Sequence, residues 1–174
     1  MEGYMRQAFN EERVEKPIYI GVGEIAVSNN PDNVLVTSLG SCVAVIVLAP
    51  GICGAGLAHV ALPSSNVNVE QSLVKPGYYA DSAIPRLLAA MDNLHGGKRG
   101  RLLVKLVGGA NIMDPNSTFD IGKRNVLATK KILWENRLGV LVEDIGEDIS
   151  RNVRVKVATG QVLVKTLGKE RVIL

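Results

Sequence analysis

The longest apolar runs of the chain flank a Pro-Gly pair and predict a β-hairpin. Residues 43–48 are all apolar, residues 49–51 give a turn signal, and residues 53–62 are apolar or glycine except for one histidine. Apolar runs on either side of such a turn are typical of paired strands. A two- or four-residue loop centred on the Pro-Gly bond would place Cys42 directly opposite His59. Opposed Cβ atoms lie about 4.5–5.5 Å apart, so we expect the thiol and the imidazole close to hydrogen-bond reach.

Shorter patterns elsewhere predict further strands and two main helices. From position 79 to Leu94 apolar residues recur every three or four positions, which indicates an amphipathic helix with Asp81 as its N-cap. A second helix is expected over 125–137. Strands are expected over 18–27 with a glycine interruption, 33–37, 101–107, 140–143, 151–158 and 161–166. Two helices among mainly antiparallel strands predict an α+β fold, a layered α/β sandwich.

The length of 174 residues and the hydrophobic content of 47% suit one well-buried domain. Residues 1–16 mix charges and polar groups without periodicity, so we expect a flexible N-terminal extension there and a single domain over 17–174. The polar stretch 63–77 follows His59 closely, and we expect it to form one wall of any site at that histidine.

Charge and composition exclude several classes of function. The net charge is +3 with scattered basic residues, so we expect no nucleic-acid partner. No run approaches the roughly 18 apolar residues of a membrane span, and the polar N-terminus lacks a signal-peptide pattern, so we expect a cytoplasmic protein without direct membrane insertion. The two cysteines and two histidines lack metal-ligand spacing, so neither a metal nor a cofactor is expected. The cysteines are expected as free thiols, with Cys53 in the core.

The candidate chemistry centres on Cys42. A small-residue corner, Gly40-Ser41, precedes it and offers backbone amides for an oxyanion, and a histidine is predicted opposite. The hydroxyl of Thr37 or of Ser38 is a candidate to orient the histidine. Hydrogen bonds to the backbone are an equally good explanation of these hydroxyls, and a core position is the simplest explanation of the cysteine.

Several ordered motifs resemble a known family. Residues 39–45 read LGSCVAV and residues 58–60 read AHV. These two motifs resemble the signature of the chemoreceptor glutamine deamidase family, CheD. Further similar segments lie at 79–83, 108–110, 121–125 and 159–164, so that the resemblance spans 18–166. The chain departs from the family pattern at 143–147, where a double glycine is expected after the acidic residue.

The resemblance implies an enzyme that converts glutamine side chains on the cytoplasmic helices of methyl-accepting chemotaxis receptors to glutamate. It implies Cys42 as nucleophile, His59 as base and Thr37 as third catalytic group, with Ser38 as the alternative to Thr37. Gly40, Ser41 and Ser38 are then the candidates for oxyanion or substrate binding. A CheC-type phosphatase is the implied protein partner.

Three other functions stay open on the sequence. A receptor glutamate methylesterase would use the same thioester, and so would a transamidase. A non-catalytic adaptor that binds the receptor or the phosphatase would need no reactive cysteine.

Overall fold

The computed structural model describes residues 14–98, 100–112 and 119–173. Most of the expected N-terminal extension, residues 1–13, lies outside these ranges. The helices are α1 (Val69–Val74), α2 (Ala80–Leu94) and α3 (Ile121–Glu135). The strands are β1 (Lys16–Tyr19), β2 (Ile25–Ser28), β3 (Asn33–Leu39), β4 (Val43–Ala49), β5 (Gly54–Val60), β6 (Leu103–Gly108), β7 (Val140–Ile145), β8 (Arg151–Lys156), β9 (Val162–Thr166) and β10 (Lys169–Ile173).

The strands form two five-stranded sheets that pack face to face. The first sheet has the order β1-β3-β8-β9-β10, and the second has the order β2-β5-β4-β6-β7. The pairs β1–β3 and β6–β7 are parallel, and the other described pairs are antiparallel. Helices α2 and α3 cover the outer face of the second sheet. The predicted α+β layered sandwich is therefore confirmed.

The layering explains the hydrophobic pattern of the sequence. Strands β4 and β5 are buried along their whole length, because one face meets the first sheet and the other meets the helices. A strand covered on both faces reads as a continuous apolar run. Strands β8 and β9 alternate instead between buried and more exposed residues, because the outer face of the first sheet meets solvent.

The predicted register of the β4–β5 hairpin is wrong by two residues. His59 lies opposite Ala44, and Cys42 lies just before the first paired residue of β4. The loop consists of a 3-10 turn, Pro50–Ile52, followed by Cys53 in the left-handed conformation with φ of 49°. Its centre is thus one residue later than a Pro-Gly turn would give. A shift of two residues keeps the same side chains on each face, because side chains alternate with period two.

The position of the second cysteine, Cys53, also differs from the predicted one. Cys53 is exposed at the hairpin turn and is not part of the core. Both cysteines are free, as expected.

The single strand predicted over 18–27 is in fact two strands in different sheets. Strand β1 runs parallel to β3 in the first sheet, and β2 pairs with β5 in the second. The chain turns between them over residues 21–24, where Gly21 N–H donates to Glu24 Oε2 at 2.7 Å. This turn meets the end of β5, since Gly23 N–H donates to the His59 carbonyl at 2.9 Å and His59 N–H to the Glu24 carbonyl at 3.0 Å.

The helix starts also differ in detail from the expected ones. Tyr79, and not Asp81, is the N-cap of α2; the Asp81 carboxylate accepts hydrogen bonds from the loop at Ser64 and Ser65. Helix α3 begins four residues before the expected start, and α1 lies inside the stretch expected as an irregular loop. Glu15 forms an ion pair with Lys156 at 2.9 Å, so contacts to the first sheet begin before the expected boundary.

Candidate active site

Three of the predicted site residues lie near the place where the chain passes from one sheet to the other. Thr37 lies in β3 of the first sheet, and His59 is the penultimate residue of β5 in the second. Cys42 lies in the connection between β3 and β4 and packs against the apolar layer between the sheets. The fold therefore collects the three side chains at one end of that layer.

Thr37 and His59 are joined by a buried hydrogen bond. Thr37 Oγ1 lies 2.8 Å from His59 Nδ1 and 2.7 Å from the carbonyl oxygen of Ile20, and both side chains are only 3% exposed. A carbonyl oxygen only accepts, so the single hydroxyl proton goes to Ile20 and the hydroxyl oxygen accepts the Nδ1 proton of His59. The neutral ring then carries its hydrogen on Nδ1, and Nε2 keeps a lone pair.

Ser38 points the other way. Its hydroxyl donates to Asn152 Oδ1 at 2.6 Å on the solvent side of the first sheet. Neighbouring residues of a strand face opposite sides, so only one of the two candidate hydroxyls can reach the histidine. That hydroxyl belongs to Thr37.

The second ring nitrogen of His59 has no partner of its own. Among the described residues nothing hydrogen-bonds to the buried Nε2 atom. A buried acceptor without a partner is uncommon in folded proteins and is a frequent feature of reactive sites. Cys42 is half-buried at the same end of the hairpin and forms no hydrogen bond with this nitrogen.

The pKa shifts of His59 and Cys42 favour a neutral imidazole and a protonated thiol in the absence of substrate. Burial lowers the pKa of His59, and this effect exceeds the opposing contributions of the Ile20 carbonyl and the Glu24 carboxylate. Burial also raises the pKa of the Cys42 thiol. The proton therefore stays on sulfur at neutral pH, and the imidazole stays neutral. Such a pair suits general-base activation of the thiol better than a preformed thiolate–imidazolium pair.

Residues 40–42 form the corner between β3 and β4, and all three of their carbonyl oxygens are held by one neighbouring part of the fold. The N–H groups of Ala110 and Gly109 donate to the first and third carbonyls at 3.0 and 2.8 Å. Asn125 Nδ2 donates to the middle carbonyl at 3.1 Å. The donors sit together, because the turn at Gly109 packs directly against Gly122 of α3.

Holding these carbonyls also fixes where the N–H groups of Ser41 and Cys42 point. No peptide bond in the described ranges is cis, and the N–H of a trans peptide points opposite to its carbonyl. The two N–H groups therefore face away from the side that holds the carbonyls. Within the described residues neither of them donates a backbone hydrogen bond. Two neighbouring amides beside a thiol are the donors that an oxyanion site requires.

Asn125 and the turn at Gly109 were not identified by sequence reasoning. Asn125 is fully buried on the face of α3 that also carries Val126 and Leu133. A polar residue at an apolar position of an amphipathic helix is the signal that could have found it. Gly109 has φ of 67°, and a Cβ there would lie 2.6 Å from Val126 Cγ2. Only glycine fits both constraints.

Arg151 supports the same region and was also missed. It is 1% exposed, its Nε lies 3.1 Å from Asp144 Oδ1, and its Nη1 donates to the Gly146 and Ile149 carbonyls. The loop that Arg151 holds also contacts the turn at Gly109, since Gly146 N–H donates to the Gly108 carbonyl at 2.9 Å. This is the stretch where the sequence departs from the family pattern.

One described cavity lies at the opposite end of the hairpin from the site, and another lies beside the site. One of about 590 Å³ surrounds the hairpin turn at Pro50 and Cys53 and contains none of the predicted site residues. A groove of about 560 Å³ is lined by Ile20, Glu24 and residues 74–76, next to the backbone that holds His59. The end of the 63–77 stretch thus forms part of a wall near this histidine.

The described part of the chain shows neither a metal-binding cluster nor a membrane-spanning helix. It contains no group of three or more His, Cys, Asp or Glu side chains placed to hold a metal ion. None of its helices has the length and apolar character that crossing a membrane would need.

Comparisons with known proteins find similar chains over most of this sequence. The family model described as CheD chemotactic sensory transduction matches residues 61–166. The "Probable chemoreceptor glutamine deamidase CheD" of Syntrophotalea carbinolica is 46% identical over 154 residues, which is 87% of this chain and 95% of the relative. The chain belongs to the CheD family.

Other relatives carry the same CheD name. The "Probable chemoreceptor glutamine deamidase CheD 1" of Syntrophus aciditrophicus is 38% identical over 87% of this chain and 94% of its own length. The CheD relative from Methanococcus maripaludis is 40% identical over 84% of this chain and 92% of its own length. Among solved structures, the Bacillus licheniformis hypothetical protein YfiH aligns with a TM-score of 0.39 at 9% identity over 78% of this chain and 61% of its own chain.

If the Cys42 thiol and the His59 imidazole of this CheD family member are both neutral at rest, the thiol should react slowly at neutral pH. In a Cys53→Ser variant, alkylation of Cys42 by iodoacetamide should be slow at pH 7 and still rising above pH 9, because the thiolate is the nucleophile and the thiol pKa is raised above its usual value of about 8.5. The rate is followed by mass spectrometry of the intact protein. A rate that is already constant between pH 6 and 8 would show a preformed thiolate and contradict the neutral pair.

Proposed function

We propose that the protein is a glutamine deamidase that acts on methyl-accepting chemotaxis receptors and converts glutamine side chains to glutamate. The names of its close relatives support this substrate. The observation that carries the chemistry is the buried His59, whose Nδ1 is held by Thr37 while its Nε2 has no partner among the described residues. Cys42 lies at the same end of the sheet layer with two amides beside it.

In the first half of the reaction, His59 Nε2 takes the thiol proton and Cys42 Sγ attacks the carbon of the glutamine carboxamide. The N–H groups of Ser41 and Cys42 bind the oxygen as it gains negative charge. The tetrahedral intermediate then collapses. The carbon–nitrogen bond breaks, the imidazolium returns its proton to the leaving nitrogen, and ammonia departs from a thioester on Cys42.

In the second half, water replaces ammonia. His59 Nε2 takes a proton from the water, and the oxygen attacks the thioester carbon at the same oxyanion site. The carbon–sulfur bond breaks, the thiolate regains its proton, and glutamate is released. Thr37 keeps the ring in the tautomer that both halves need, because its hydroxyl accepts the Nδ1 proton.

The adaptor hypothesis explains less of the site. An adaptor that only binds has no need for an imidazole whose tautomer is fixed by Thr37 at the same end of the layer as a thiol. Hydrolysis of glutamate methyl esters and transamidation pass through the same thioester and remain compatible with this arrangement. A CheC-type phosphatase as partner, and a cytoplasmic location beside the receptor helices, belong to the proposal.

Replacing the nucleophile should abolish activity. Cys42→Ala should release no ammonia from a receptor cytoplasmic fragment and leave its glutamines unchanged, because no thioester can form. Both quantities are measured in one incubation, with mass spectrometry of the fragment's peptides. Cys53→Ala is the matched control and should behave like wild type, since this thiol is exposed at the far turn. Wild-type turnover by a folded Cys42→Ala protein would refute covalent catalysis.

The two hydroxyls of β3 should have unequal effects. Thr37→Val should lower the deamidation rate about 10²-fold, because the ring loses the acceptor that fixes its tautomer. Ser38→Ala should stay close to wild type, since among the described residues this hydroxyl hydrogen-bonds to Asn152 and not to His59. Initial rates on the same receptor fragment give the comparison. Full activity of the Thr37→Val variant would leave a Cys-His dyad as the better description.

A further inference from the structure

Asn125 links the two backbone segments that carry the reactive side chains. Its side chain is completely buried on α3. The Nδ2 group donates to the Ser41 carbonyl at 3.1 Å and to the Ala61 carbonyl at 2.8 Å. Ser41 precedes the nucleophile Cys42, and Ala61 lies two residues beyond His59. One side-chain amide therefore fixes both sides of the site at once.

The chemistry of this contact requires an amide. An NH₂ group has two protons, and here each proton meets a carbonyl oxygen. The Oδ1 atom of Asn125 has no partner among the described residues, so these two donated hydrogen bonds are the ones that hold the side chain. An aspartate of the same shape has no proton to donate when ionised, and a leucine has none at all.

The peptide between Ser41 and Cys42 is the one that this contact controls. The flanking carbonyls, those of Gly40 and Cys42, are held by backbone N–H groups. Among the described residues, the Asn125 side chain alone donates a hydrogen bond to the carbonyl of the middle peptide. Without it, that peptide can rotate between two fixed neighbours, and the Cys42 N–H turns with it because the peptide is planar.

We propose that Asn125 is a positioning residue: its carboxamide holds the Ser41–Cys42 peptide so that the Cys42 N–H faces the oxyanion formed during attack on the substrate carboxamide. This inference rests on the proposed deamidase function. Asn125 does not touch the substrate. It acts through the orientation of one backbone amide.

The test compares a reaction that needs an oxyanion site with one that does not. Deamidation of a receptor fragment passes through a tetrahedral oxyanion. Alkylation of Cys42 by iodoacetamide displaces iodide from a saturated carbon, forms no oxyanion, and needs only the thiol and its base. Both rates are measured for Asn125→Leu in a Cys53→Ser background. Thr129→Val is the matched control, because Thr129 is buried one turn further along α3 and its hydroxyl has no partner among the described residues.

We expect kcat for deamidation by Asn125→Leu to fall about 10- to 100-fold with little change in KM, less than on removal of an oxyanion donor, because the Cys42 N–H is still present. The alkylation rate of Cys42 should change by less than about threefold, because no oxyanion forms in that reaction. Thr129→Val should match the parent in both reactions. Should Asn125→Leu fail to fold, Asn125→Ser takes its place, since a hydroxyl can donate to only one of the two carbonyls.

Two results would overturn the proposal. One is an unchanged kcat in the folded Asn125 variant. The other is a parallel fall of both rates, which would indicate a structural role alone. An inactive parent protein would instead contradict the proposed deamidase function, so failure of the inference and failure of the function are distinguishable.

Discussion

The hydrogen bond between Thr37 and His59 is the contact on which the site depends. It crosses from the first sheet to the second within a layer that is mainly apolar. A buried polar group left unpaired costs about 1–3 kcal/mol, so this pair also favours one alignment of the sheets over others. The same bond fixes the histidine tautomer. This one hydrogen bond thus stabilises the layer between the sheets and also leaves Nε2 of His59 able to accept a proton.

The crossing between the sheets explains where the nucleophile lies. A chain that leaves β3 and enters β4 must turn through a corner, and residues of a corner cannot satisfy their backbone groups within a strand. Here the turn at Gly109 and the side chain of Asn125 satisfy the carbonyl groups. The N–H groups are left on the opposite side, next to Cys42. The packing of α3 on the second sheet therefore helps to set the direction of the N–H groups beside Cys42.

The sequence predicts the hairpin strands better than it predicts how they pair. The apolar hairpin, its free cysteine and its histidine follow from local pattern and turn signals. The register was wrong because the loop centre depends on the left-handed conformation of Cys53, which a Pro-Gly signal does not indicate. Thr37 could not be separated from Ser38, because the choice depends on which face of β3 meets the other sheet. Asn125 was missed because its partners lie more than sixty residues away.

The most direct test of the Thr37–His59 contact is the protonation of the His59 ring. Nitrogen-15 NMR of the histidine side chains, with a His95→Gln variant for assignment, reports which nitrogen carries hydrogen. We predict a neutral ring at pH 7 with hydrogen on Nδ1, and an imidazolium only below the ordinary pKa of about 6.5, because burial lowers the pKa of His59. A ring with hydrogen on Nε2, or one doubly protonated at pH 7, would contradict it.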